Sequence, residues 1–203
     1  MEVHRATPLY EFLRQCDAQP MTRVVLDCGA GGPDPPLALF HQAGYKTYGI
    51  EIAREALEEA LAYSRAQGVN LTILPADMRH IPFPRDTFSF AYSFNTIFFM
   101  TEPDIAPSVA EIERVFKPGG LCYANFKSVD EPGDRPFSPR SPPRRLLRSQ
   151  RFSKHSDDEA DKYFRACDIV WKQKTLTTCR QGPEVVVHAN IEYIAQKRPC
   201  GAG

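Results

Sequence analysis

Val24-Val25-Leu26-Asp27-Cys28-Gly29-Ala30-Gly31-Gly32-Pro33 is an apolar run that ends in an acid and a glycine-rich loop. Val-Val-Leu suits a strand buried on both faces of a parallel sheet. Gly29, Gly31 and Gly32 let the chain turn sharply and bring bare backbone against a ligand, where a Cβ would intrude. Pro35-Pro36 before Leu37-Ala38-Leu39-Phe40 reads as a helix start, because proline is tolerated in the first turn. Strand, glycine loop and helix together form the nucleotide-binding corner of an α/β sheet.

The corner repeats its grammar downstream. Lys46-Thr47-Tyr48-Gly49-Ile50-Glu51 reads as a second strand ending in a carboxylate, at the spacing from Asp27 that suits a ribose-binding acid. Leu71-Thr72-Ile73-Leu74 is a third strand, running into Pro75-Ala76-Asp77-Met78-Arg79-His80-Ile81-Pro82-Phe83. Asp86 to Ser93 holds a fourth strand. Val115-Phe116-Lys117-Pro118-Gly119-Gly120-Leu121-Cys122-Tyr123 turns tightly into a fifth. Helices are expected over residues 53–67, stopped by Gly68, and over about 105–116, with Ile105, Val109, Ile112, Val115 and Phe116 inward. Residues 157–160 start another helix, their acids favouring its dipole, and final strands cover about 168–177 and 185–196. Alternating strands and helices predict right-handed crossovers in a parallel sheet.

With these four motifs in order, the chain resembles the class I S-adenosylmethionine-dependent methyltransferases, in particular the group sharing a D-x-x-x-[IL]-P-F segment and a K-P-G-G turn. The resemblance covers residues 20–127 well and 160–197 in outline. It implies an α/β fold: a doubly wound, Rossmann-like seven-stranded sheet, mostly parallel, with an antiparallel C-terminal hairpin strand. It also implies S-adenosyl-L-methionine as cofactor and methyl transfer by direct displacement. A hydride-transferring Rossmann enzyme is the nearest alternative, disfavoured by the I-P-F and K-P-G-G segments. A methyltransferase-like protein acting through a partner is another.

The resemblance assigns the cofactor site to Asp27, Cys28, Gly29, Gly31, Gly32, Glu51, Ile52, Asp77, Met78 and Ser93. Backbone N–H groups of the glycine loop would surround the amino-acid end, and Asp27 would anchor the loop or accept from the ammonium. Glu51 can accept from both ribose hydroxyls. Asp77 would accept from the adenine amine and the Met78 N–H would donate to the ring. Ile52 and Met78 offer apolar contact, or are ordinary core. Ser93 would lie near the methionine portion. Pro33 replaces the third glycine of the family's D-x-G-x-G-x-G pattern. Ser93-Phe94-Asn95-Thr96 lacks the Asn/Asp-Pro-Pro-aromatic sequence used on planar amino groups, and the Pro-Cys nucleophile of cytosine C5 methylation is absent from this region. No catalytic base is assigned: His80, Tyr92, Asn95 and Glu102 could face the pocket, and displacement at an activated methyl needs mainly alignment.

Composition narrows the rest. A chain of 203 residues suits one domain over 1–203, with a helical lead over 1–20 whose Leu9, Phe12 and Leu13 share one side. This lead either closes over the cofactor or packs on the sheet. The net charge of zero gives no global field toward nucleic acid or membrane, no membrane span is legible, and the start lacks a signal peptide. Cys16, Cys28, Cys122, Cys167, Cys179 and Cys200 show no paired metal spacing and read as free thiols in a cytoplasmic protein. Residues 128–156 form an insertion rich in Arg, Pro and Ser, read as a lid, an anionic-substrate anchor or a disordered loop. A small-molecule acceptor is expected first, RNA through residues 140–154 second. The oligomeric state is not legible.

Overall fold

The computed structural model describes residues 8–131, 153–181 and 184–199. In chain order it places α1 (Pro8–Asp17), β1 (Val24–Cys28), α2 (Leu37–Gln42), β2 (Lys46–Glu51), α3 (Arg54–Gln67), β3 (Thr72–Pro75), β4 (Phe88–Ser93), α4 (Glu102–Val115), β5 (Phe116–Ser128), β6 (Lys154–His155), β7 (Cys167–Gln181) and β8 (Glu184–Lys197). The main sheet runs β3-β2-β1-β4-β5-β8-β7, and β6 pairs with β5 off that path. Strands β1 to β5 are parallel, while β8 is antiparallel to β5 and β7. This is the expected doubly wound sheet with its antiparallel hairpin.

Local chemistry sets the boundaries. Pro36 stands at the N-terminus of α2, where a missing N–H costs nothing. Gly68 closes α3 in a left-handed conformation (φ 64°), and its N–H returns to the Arg65 carbonyl. Phe88 pairs with Phe116 but Phe90 with Leu121, so Lys117–Gly120 is looped out of the β4–β5 ladder as a bulge. Gly119 there has φ 79°.

Two buried clusters cover the two faces of the sheet. One joins α4 to Phe88, Phe126, Tyr163, Phe164 and Tyr193. The other joins α1 and α2 to Phe90, Tyr92 and Tyr123. In α1, Leu9, Phe12 and Cys16 are buried, and the Phe12 ring lies 5.8–6.0 Å from Phe40, Tyr92 and Tyr123. The leading helix is therefore packed on the sheet, with Leu13 only partly buried.

Two expectations change. Instead of an α-helix from residue 157, Glu159–Tyr163 makes one short 3-10 helix, because Asp157 and Asp158 spend their carboxylates on Lys174 and Lys172 of β7 rather than on capping. Most of the Arg-rich insertion, residues 132–152, lies outside the described residues. Its last residues add β6 beside the end of β5, pairing Lys127 with Lys154 and Ser128 with His155. Cys16, Cys28, Cys122 and Cys167 are free and buried. Among the described residues, no helix is long and apolar enough to cross a membrane, and no group of three His, Cys, Asp or Glu side chains is placed to hold a metal.

Candidate functional site

Parallel pairing brings the carboxyl ends of β1, β2, β3 and β4 to one edge of the sheet. Asp27 lies between Gly49 of β2 and Tyr92 of β4. Its side chain is buried, and neither carboxylate oxygen meets a hydrogen-bond partner. Burial pushes its pKa up to about 8; the Glu51 charge adds to the rise, and the nearby Tyr92 hydroxyl opposes it without reaching hydrogen-bond geometry. A buried carboxylate without a partner is costly unless neutral or matched by a cation. The unpaired oxygens of Asp27 could therefore accept from a positively charged group.

The Gly29 and Ala30 N–H groups of the glycine loop both donate to the Ile50 carbonyl, at 2.9 and 3.0 Å. Gly31 donates to Glu51 Oε2 at 3.1 Å, and Gly32 to the Ala56 carbonyl at 2.8 Å. In the ligand-free structure all four donors are thus bonded to β2 and α3. A Cβ at Gly29 would stand 2.2 Å from Thr96 Oγ1, and one at Gly31 2.6 Å from Glu51 Oε2. At Gly32, with φ 100°, a Cβ would meet open space. Pro33 is exposed. The close helix–strand approach expected of a third glycine falls to Gly49 instead, where a Cβ would lie 2.4 Å from that of Ala30.

Glu51 ends β2 half-buried. Besides Gly31, its Oε1 accepts from the Ala53 N–H at 2.8 Å. One bond on each oxygen fixes the carboxylate and leaves further acceptor capacity for a diol. Ile52 beside it is 63% exposed, which corrects the core reading and leaves an apolar surface for a flat ligand. Met78 is buried in the core. Asp77 is tied to Arg79 by a forked ion pair. Cys28 and Ser93 are fully buried, and Ser93 Oγ accepts from the Ile97 N–H at 3.2 Å.

Past β4, Asn95 adopts φ 54°. Its N–H donates to Asn125 Oδ1 at 2.8 Å, and its Oδ1 accepts from Asn125 Nδ2 at 2.7 Å. This reciprocal amide pair, and Thr96 against Gly29, were invisible in sequence because Asn125 lies 30 residues away. Among the base candidates, Tyr92 is buried with its pKa pushed up by burial and by Asp27. Glu102 is exposed and pairs with Lys162 at 3.2 Å. His80 lines a separate cleft of about 520 Å³ along α4, with Arg85 and Arg114.

A cationic ammonium, a ribose diol and an adenine would find here an orphaned carboxylate, a fixed half-buried carboxylate and an exposed isoleucine, so the residues fit S-adenosyl-L-methionine. The comparisons with known proteins agree. Residues 26–124 match the methyltransferase domain model. The sterol 24-C-methyltransferase of Pneumocystis carinii is 33% identical over 109 residues, which are 52% of this chain and 28% of that protein. The sterol 4-C-methyltransferase strm-1 of Caenorhabditis elegans is 32% identical over 109 residues, 52% of this chain and 31% of that protein. The matched segment therefore spans under a third of these relatives. A solved S-adenosylmethionine-dependent methyltransferase from Methanosarcina mazei shares the fold with a TM-score of 0.68 at 17% identity, covering 98% of this chain and 99% of that one. Residues 26–124 thus carry a methyltransferase domain of the class I S-adenosylmethionine-dependent kind, whose family uses S-adenosyl-L-methionine as its methyl donor.

Proposed function

We propose that residues 1–203 form one methyltransferase domain that binds S-adenosyl-L-methionine at the carboxyl edge of β1 to β4 and methylates a small or medium-sized metabolite. The observation that carries the reading is Asp27, a buried carboxylate with no partner at the point where the cofactor's ammonium belongs. The likeness to sterol methyltransferases supports a small-molecule acceptor.

When bound, the cofactor supplies a methyl group already activated on a sulfonium. The protein's part is then to align and to exclude water. Asp27 holds the ammonium, directly or through water, and Glu51 holds the ribose hydroxyls. Ile52 and Asp77 face the adenine, one by apolar contact and one by accepting from its amine. Cys28, Met78 and Ser93 form the buried support beneath them. Asn95, held at its unusual φ by Asn125, stands beside the glycine loop where an acceptor would approach.

Calorimetric titration with S-adenosylmethionine, S-adenosylhomocysteine and NAD tests this reading. Binding of the first two and not the third is expected. Glu51→Ala is expected to weaken that binding by about 1–3 kcal/mol, the scale for removing one partner of a buried hydrogen bond. No binding of either sulfur ligand to the folded protein would remove the assignment.

A further inference from the structure

Arg79 follows Asp77 by two residues and closes on it. Its Nε lies 3.1 and 3.0 Å from the two Asp77 oxygens, and Nη2 is 2.6 Å from Oδ2. The Arg79 backbone N–H adds a bond of 2.9 Å to Oδ1. The third guanidinium nitrogen, Nη1, reaches Asp104 Oδ1 at 3.0 Å, in the first turn of α4. Asp104 is itself held by the Thr101 hydroxyl at 2.7 Å. The guanidinium is thereby stretched between the loop after β3 and the helix after β4, fixed at both ends.

The consequence for Asp77 is geometric. A planar fork matches a carboxylate best in one orientation, so these bonds favour a single setting of the Asp77 carboxylate. The guanidinium also holds its carboxyl below the usual carboxylate range, chiefly through these hydrogen bonds. A carboxylate so held has no proton to give. It can accept from a 6-amino group and meets a 6-oxo group with lone pair against lone pair.

We propose that Arg79 is a positioning residue that sets the cofactor's base specificity, by holding Asp77 as an acceptor that admits a 6-amino purine and rejects a 6-oxo one. The inference rests on the reading of Asp77 as the adenine contact. Without Arg79, Asp77 is free to rotate away from the base, and the penalty against a 6-oxo base relaxes. Stability should change little, because the Arg79 side chain is 41% exposed and partly exposed ion pairs contribute weakly.

The test compares S-adenosylhomocysteine with S-inosylhomocysteine, its 6-oxo counterpart, by calorimetry on wild type, Arg79→Ala, Arg79→Gln and Asp77→Ala. Wild type is expected to prefer the amino ligand by roughly tenfold or more, the discrimination a site gains from one buried polar contact. Both Arg79 variants should cut that ratio by about fivefold or more while melting close to wild type, and Arg79→Gln covers the case in which the alanine variant does not fold. A ratio within twofold of wild type in a folded Arg79 variant, alongside its collapse in Asp77→Ala, overturns the role of Arg79 alone. Unchanged affinity for both ligands in Asp77→Ala overturns the adenine assignment beneath it. Equal binding of both ligands to wild type overturns the specificity claim.

Discussion

Asp27 is a titrating group whose charge state the fold and the ligand set in opposite directions. Its pKa stands near 3.8 in an unfolded chain and is pushed up to about 8 in the ligand-free fold by burial, with Glu51 adding to the rise. The folded state therefore binds a proton that the unfolded state has released anywhere between these values. Its contribution to stability is fully present below about pH 4 and is lost as pH rises toward about 8. A cofactor ammonium favours the ionised form, so binding below that upper value must expel the proton. Titration of S-adenosylhomocysteine at pH 6.5, in buffers of different ionisation enthalpy, should report about one proton released per ligand bound. Asp27→Asn should release none. An identical proton count for wild type and variant would show that Asp27 stays neutral in the complex. Nothing in Val-Val-Leu-Asp announces this: the sequence places an acid at a strand end, and only its missing partners make it titratable.

At the scale of elements, the glycine loop and Glu51 form one unit, because Gly31 donates to Glu51 and packs against its carboxylate. An alanine at 31 would press its Cβ against Glu51 Oε2 and Ala56 Cβ, 2.6 and 2.7 Å away. Gly31→Ala is expected to lower affinity for S-adenosylhomocysteine by an amount comparable to Glu51→Ala, about 1–3 kcal/mol, with crowding costing about 1–3 kcal/mol of stability. Equal affinity in a folded variant would uncouple loop from acid. Strands β1, β2 and β5 were legible because β-branched and aromatic runs bounded by glycine and proline obey local rules. The end of α3 was legible because Gly68 alone can close it cheaply. The loop's internal bonding was not, because its acceptors, Ile50 and Ala56, belong to β2 and α3, elements that follow it in the chain. Arg79 escaped notice for the same reason, since Asp104 lies 25 residues on. The 3-10 turn at Glu159–Tyr163 replaced a helix whose caps were drawn off to β7, and five residues cannot nucleate an α-helix unaided.

Over the whole molecule, stability is divided between two aromatic-rich layers on either side of one sheet. Phe126 is the hub of the layer on the α4 side: its ring lies 5.4–6.2 Å from those of His155, Tyr163, Phe164 and Tyr193. Those partners come from β6, the 3-10 helix, its flank and β8, so this ring joins the C-terminal third of the chain to the central strands. Phe126→Ala should cost about 3–5 kcal/mol in chemical denaturation. A loss below about 1 kcal/mol would mean that the layer closes around the gap.

The order of the sheet also carries a timetable. Strand β5 is complete at Ser128, yet the neighbour on its outer side is β8, which ends at Lys197 and pairs with it from Leu121 to Lys127. A growing chain that has delivered every residue of the proposed cofactor site therefore still presents a long apolar strand with an open ladder of donors and acceptors, the kind of edge that recruits other chains. On the ribosome, the interval between the synthesis of β5 and the emergence of β8 is the period when that edge stays without its antiparallel partner.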